Sequence, residues 1–68
     1  MEEGNIILRP KSSYGIDKIY KHGYMYSFVK IVEGGQRGDF LVLLRSNEDG
    51  TKFVVKLESD KDFKVMLN

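Results

Sequence analysis

The chain of 68 residues fits one small domain that buries roughly 60% of the surface its unfolded chain exposes, which leaves little room for a deep substrate cleft and argues against an enzyme. Eleven Lys plus Arg stand against ten Asp plus Glu, a balance that argues against affinity built mainly on neutralising phosphates. With no cysteine there is no disulfide framework, thiolate ligand or thiol nucleophile, and a cytoplasmic setting is expected.

The opening MEEGNIILRP puts acids before a short apolar run, Ile6 to Leu8, that is too short for a signal-peptide core. No stretch approaches the length of a membrane span, so no membrane partner is expected. The remaining apolar runs alternate with turn signals, and no window of helical length keeps an i, i+3, i+4 apolar pattern, so the chain reads as all-β. A single domain over residues 1–68 is expected.

The first strand is expected from Asn5 to Arg9, closed by the only proline, Pro10. A long loop follows, PKSSYGIDKIYKH, with Ile16 and Ile19 to anchor its tip. The second strand, Gly23 to Glu33, is apolar on both faces, which a sharply bent barrel strand tolerates because it contributes to both sides of the core. Tyr26 and Phe28 are expected inside, and Tyr14, Tyr20 and Tyr24 more exposed.

GGQRGD supplies three glycines for a hairpin loop before the third strand, Asp39 to Arg45. SNEDGTK makes the next hairpin, with an Asp-Gly pair suited to left-handed backbone. The fourth strand, Lys52 to Glu58, places Phe53, Val55 and Leu57 on one face with Lys56 and Glu58 on the other. Ser59 to Asp62 has room for one turn, expected to be 3₁₀, and Phe63, Val65 and Leu67 then share a face of a short closing strand.

This order of elements resembles the Src-homology-3-like small β-barrel: five strands, a long loop after strand 1 and one short 3₁₀ turn before the last strand. Gly23, Tyr26, Phe28 and Val29 also match a Gly-x-x-Tyr-x-apolar-apolar second strand similar to that of small bacteriophage-encoded accessory proteins. Peptide-binding members of the barrel family grip polyproline with a tryptophan and a proline near the later strands. This chain has no tryptophan and its one proline is Pro10, so that ligand class is not carried over.

Short motifs yield to turn chemistry. Gly34-Gly35-Gln36 has the letters of the release-factor catalytic triplet, and Arg37-Gly38-Asp39 those of the integrin-recognition tripeptide, but both fall in one glycine-built hairpin loop. A calcium loop around Asn47 and Asp49 would set Arg45 and Lys56 at ligand positions. His22 is the only histidine, so a His-His metal pair is excluded, and a surface loop position is expected for it. No catalytic residue, metal ligand or cofactor is assigned.

The strongest signal runs from Arg9 to Lys30, where Arg9, Lys11, Lys18, Lys21 and Lys30 outnumber Asp17 and interleave with all four tyrosines. Tyrosine offers large amphipathic contact area at low entropic cost. The expected function is a non-enzymatic binding protein contacting its partner through Tyr14, Lys18, Tyr20, Lys21, His22, Tyr24 and Arg37. The phage-like resemblance implies an accessory protein that docks on a host protein and modulates or inhibits it. Two alternatives stay open: nucleic-acid binding through the same basic, tyrosine-rich face, and a structural or assembly subunit, monomer or dimer, formed by edge-strand pairing.

Overall fold

A computed structural model of the chain describes residues 6–67 and contains five strands and one α-helix. The strands are β1 (Ile6–Pro10), β2 (Met25–Glu33), β3 (Leu41–Ser46), β4 (Lys52–Lys56) and β5 (Phe63–Leu67), and the helix is α1 (Ser13–His22). All pairings are antiparallel, in the order β4-β3-β2-β1-β5. The five expected strands are present, and Asn5, the expected start of the first, lies outside the described residues. Among the described residues β4 and β5 are edges with no ladder between them, so the five strands form a sheet that is not closed.

Among the described residues seven apolar side chains are buried: Ile6, Leu8, Tyr26, Val42, Leu44, Val55 and Phe63. Ile19, Phe40, Phe53, Leu57 and Val65 pack around them. The period of two explains the selection. On β3, Val42, Leu44 and Ser46 point inward while Leu41, Leu43 and Arg45 take the other face. Paired residues share a face, which lines Leu44 up with Phe53 and Val42 with Val55.

The long loop after β1 is instead largely helix α1. Ser12 caps it, its hydroxyl accepting from the Gly15 N–H at 3.0 Å and donating to Asp62 at 2.7 Å. Gly23, at φ 87°, ends it, with its N–H donating to the Ile19 carbonyl. Periodicity missed the helix because it docks on a narrow strip. Gly15 is its buried residue, Ile19 is half-buried, and Ile16 and Tyr20, which an apolar stripe would put inside, face outward.

The 3₁₀ turn is also displaced. Before β5, the Asp60 carboxylate takes the N–H groups of Asp62 and Phe63 at 2.9 and 3.2 Å. This aspartate turn replaces the backbone bonds a 3₁₀ turn would make. The 3₁₀ turn among the described residues spans Gln36–Gly38, between β2 and β3, where Arg37 adopts φ 57° and ψ 34°.

Strand β2 is nine residues long and β1 only five. Only Met25 and Tyr26 pair with β1, through Ile7 and Ile6, whereas β3 runs alongside β2 from Tyr26 to Glu33. Register breaks between Phe28 and Lys30 and between Ile31 and Glu33 mark bulges on the second half. Tyr26 is fully buried, as expected. Phe28 is not: it is 54% exposed, although it pairs with the buried Leu44.

Candidate binding surface

Helix α1 sorts its expected contact residues by angle. Tyr14 and Lys18, four residues apart, share one flank, with the Lys18 ammonium 5.3 Å from the centre of the Tyr14 ring, within cation–π range. Lys21 extends that flank and pairs with Asp17 at 3.4 Å, an exposed i, i+4 contact of small energetic weight. Ile16 and Tyr20 form a second exposed pair on the opposite flank. Tyr20 is 89% exposed, so its ring contributes almost nothing to the fold.

Tyr24 follows the Gly23 cap and is also exposed, while its carbonyl accepts the Leu8 N–H at 3.0 Å. The helix flanks and Tyr24 therefore offer three exposed tyrosines from one stretch of chain. Arg37 does not join them, because it follows β2 whereas Tyr24 precedes it, at opposite ends of a nine-residue strand. Arg37 lines a separate shallow cleft of about 470 Å³ with Glu33, Asp39 and Lys56.

His22 turns partly inward, with 20% of its side chain exposed. It ends α1 rather than sitting in a surface loop, its Nδ1 lies 2.7 Å from the Asp49 carboxylate, and its ring meets Phe53 edge-on at 5.3 Å. Asp49 is held well below the usual carboxylate range, first by this hydrogen bond and next by the Thr51 N–H. Ser46 lies close by, giving the residue types of a hydrolytic triad without its geometry. The Ser46 hydroxyl donates to the His22 backbone carbonyl and accepts from Glu48 and Asp49 N–H groups.

Below this cluster, Tyr26 donates its hydroxyl to the Gly23 carbonyl at 2.9 Å. Burial, followed by the charges of Asp49 and Glu48, pushes its phenol up to about 12. Tyr26, His22, Asp49 and Ser46 thus fasten the end of α1 to the β3–β4 turn. They hold the tyrosine-bearing segment against the sheet. No group of three or more His, Cys, Asp or Glu side chains converges as a metal site among the described residues.

Sequence reasoning missed the second half of β2. Phe28, Val29, Ile31 and Val32 are all exposed, and no described residue pairs with them on the side away from β3. Large apolar side chains left exposed in number can mark an interaction surface. The available signal was composition, since the sequence of β2 is apolar on both faces and one sheet face cannot bury both.

A further feature lies at the sheet edge, where a cleft of about 330 Å³ separates α1 from β4. Tyr14 and Lys18 wall it on the helix side, Lys52 and Val54 on the strand side, and Asp60 and Asp62 at the turn. No helix among the described residues is long and apolar enough to cross a membrane. Comparison with protein-family models, with curated proteins and with solved structures finds no match to this chain.

Proposed function

We propose that the chain is a non-enzymatic binding protein that docks on another protein through side chains its own fold leaves uncovered. The observation that carries this reading is the run Phe28, Val29, Ile31 and Val32, exposed together on β2. Burying one large apolar side chain in an interface is worth about 1.5–3 kcal/mol, and a domain this small has no structural use for four left in water. Tyr14, Tyr20 and Tyr24 add amphipathic rings from the α1 segment, the side chain type favoured at contact hot spots.

The strand order β4-β3-β2-β1-β5 supports a small Src-homology-3-like barrel, open between β4 and β5. On that resemblance the partner is a host protein and the chain a phage or mobile-element accessory that modulates or inhibits it in the cytoplasm. The second reading, an assembly subunit, draws on the same exposed apolar side chains, which a second copy could cover as readily as a different protein.

The test is capture from host lysate, with and without nuclease, using the wild-type chain and the double variant Phe28→Ser/Ile31→Ser. Light scattering on both proteins runs alongside. Wild type is expected to retain a protein partner after nuclease treatment, and the variant to lose it while keeping its circular dichroism. Identical capture by both would overturn the reading. A wild-type dimer that the variant reduces to monomer favours assembly instead, and nuclease-sensitive capture favours nucleic acid.

A further inference from the structure

The outer edge of β4 presents an incomplete hydrogen-bond ladder. Two backbone bonds, Ser46 N–H to the Thr51 carbonyl and Leu57 N–H to the Phe40 carbonyl, both 2.8 Å, fix the phase of the β3–β4 pairing. In an antiparallel pair, alternate residues exchange hydrogen bonds and those between them aim their N–H and C=O groups the other way. Phe53 and Val55 therefore bond β3, and Lys52, Val54 and Lys56 point outward.

The Lys56 N–H bears this phase out, since it donates to the Asp60 carboxylate at 3.0 Å. That contact ends the edge at one side. The outward groups of Lys52 and Val54 have no bonding partner among the described residues, and they open into the cleft bounded by Tyr14 and Lys18. A second cleft, about 490 Å³, continues along the strand and shares Val54, Asp60 and Asp62 with the first. The gap between β4 and the turn before β5 is thus a groove with strand-type backbone groups along one wall.

Charge selects the occupant. Lys52 and Lys56 flank Val54 on the exposed face of β4. A second copy pairing antiparallel about Val54 would set Lys52 opposite Lys56 twice, a like-charge arrangement that disfavours self-pairing. Lys18 lines the same cleft as Lys52, so positive charge gathers at the end away from Asp60. Asp60 is already engaged by three backbone N–H groups, and Asp62 accepts from Ser12.

We propose that the free edge of β4 accepts an extended acidic peptide segment as an added strand, with a carboxylate opposite Lys52 and a β-branched residue opposite Val54. The added strand exchanges hydrogen bonds with the backbone of Lys52 and Val54, and Tyr14 shields it from the helix side. This mode of recognition gains affinity from main-chain bonds and selectivity from alternate side chains. The inference rests on the reading of the chain as a protein-binding module and names a second contact class for it.

The test is fluorescence anisotropy with a labelled peptide, Thr-Glu-Thr-Val-Thr-Glu-Thr. Its two comparison probes are a version with lysine for glutamate and a version N-methylated on the backbone groups that would face β4. Saturable binding of the acidic peptide is expected, weakened at least about tenfold by either change. Lys52→Glu, an exposed edge substitution whose folding is checked by circular dichroism, is expected to reverse the preference between the acidic and lysine peptides. No saturable binding, or equal binding of the N-methylated peptide, would overturn the proposal and leave β4 as an edge merely guarded by lysines. If partner capture still depends on Phe28 and Ile31 in that event, the binding-module reading survives and strand addition alone fails.

Discussion

Gly15→Ala distinguishes a docked helix from one lying loosely over the sheet by the sign of its effect. On a helix free of close neighbours, glycine to alanine stabilises by about 1 kcal/mol through backbone entropy. In this fold a Cβ on residue 15 would collide with the Asp62 carbonyl oxygen and come within 3.3 Å of the Pro10 Cα. Both are backbone atoms, so no side-chain rotation relieves the overlap. The Asp62 carbonyl also accepts the Lys11 N–H at 2.8 Å, and Ser12 bonds the Asp62 side chain. Moving the helix away to make room strains both contacts.

Overpacking costs about 1–3 kcal/mol and a weakened hydrogen bond about 1 more, against a propensity gain of about 1. The net expectation is a destabilisation of roughly 1–3 kcal/mol. With a slope near 1 kcal/mol per molar urea for a domain of this size, the unfolding midpoint falls by about 1–3 M. Urea titration followed by far-ultraviolet circular dichroism measures it, with Ile16→Ala, an exposed position on the same helix, expected to stay within about 0.5 kcal/mol. A midpoint for Gly15→Ala equal to or above wild type would refute the close docking of α1 on Pro10 and the turn before β5.

Two pH effects follow from the cluster that fastens α1. Because the Asp49 carboxyl is depressed, its contribution is complete above the ordinary carboxylate value of about 4 and is lost as pH falls through the depressed value. Asp49→Asn is expected to flatten the acid limb of a pH–Tm profile, and an unchanged limb would mean that the His22 contact adds nothing. Tyr26 works in the opposite direction: its phenol is raised to about 12 by burial, so the stability linked to it is full below about pH 10 and drains away as pH climbs toward 12. Ultraviolet titration of the phenols should show a component near pH 12 that Tyr26→Phe removes, and its persistence in that variant would assign the shift to another residue.

Much of the sheet was legible from local pattern. The alternation Phe53, Val55 against Lys52, Lys56 placed β4 and its wet face, and the Asp-Gly pair at 49 and 50 placed the hairpin before it. Helix α1 was not legible, although its signals were present: Ser12 ahead of it, Lys21 and His22 in its last turn, and Gly23 after it. Its apolar residues do not form a stripe, because the contact it makes is a bare glycine against backbone. The candidate surface was half legible. Tyr14, Tyr20 and Tyr24 are exposed as expected, whereas Phe28 was assigned inward by parity with Tyr26, and parity carries no information about whether a neighbour covers that point.

The amino-acid sequence by itself determined where strands run and where the chain turns, since periodicity, glycine and proline act within a few residues. Only the tertiary structure decided which faces are covered. His22 finds Asp49 across 27 positions of sequence, the second half of β2 keeps four apolar side chains exposed, and β4, among the described residues, keeps two residues' worth of backbone unpaired at the sheet edge. Burial and hydrogen-bond completion belong to pairs of elements, and those pairs form only when distant segments meet. That is why the strands could be read from residues alone, and the surfaces that would meet a partner could not.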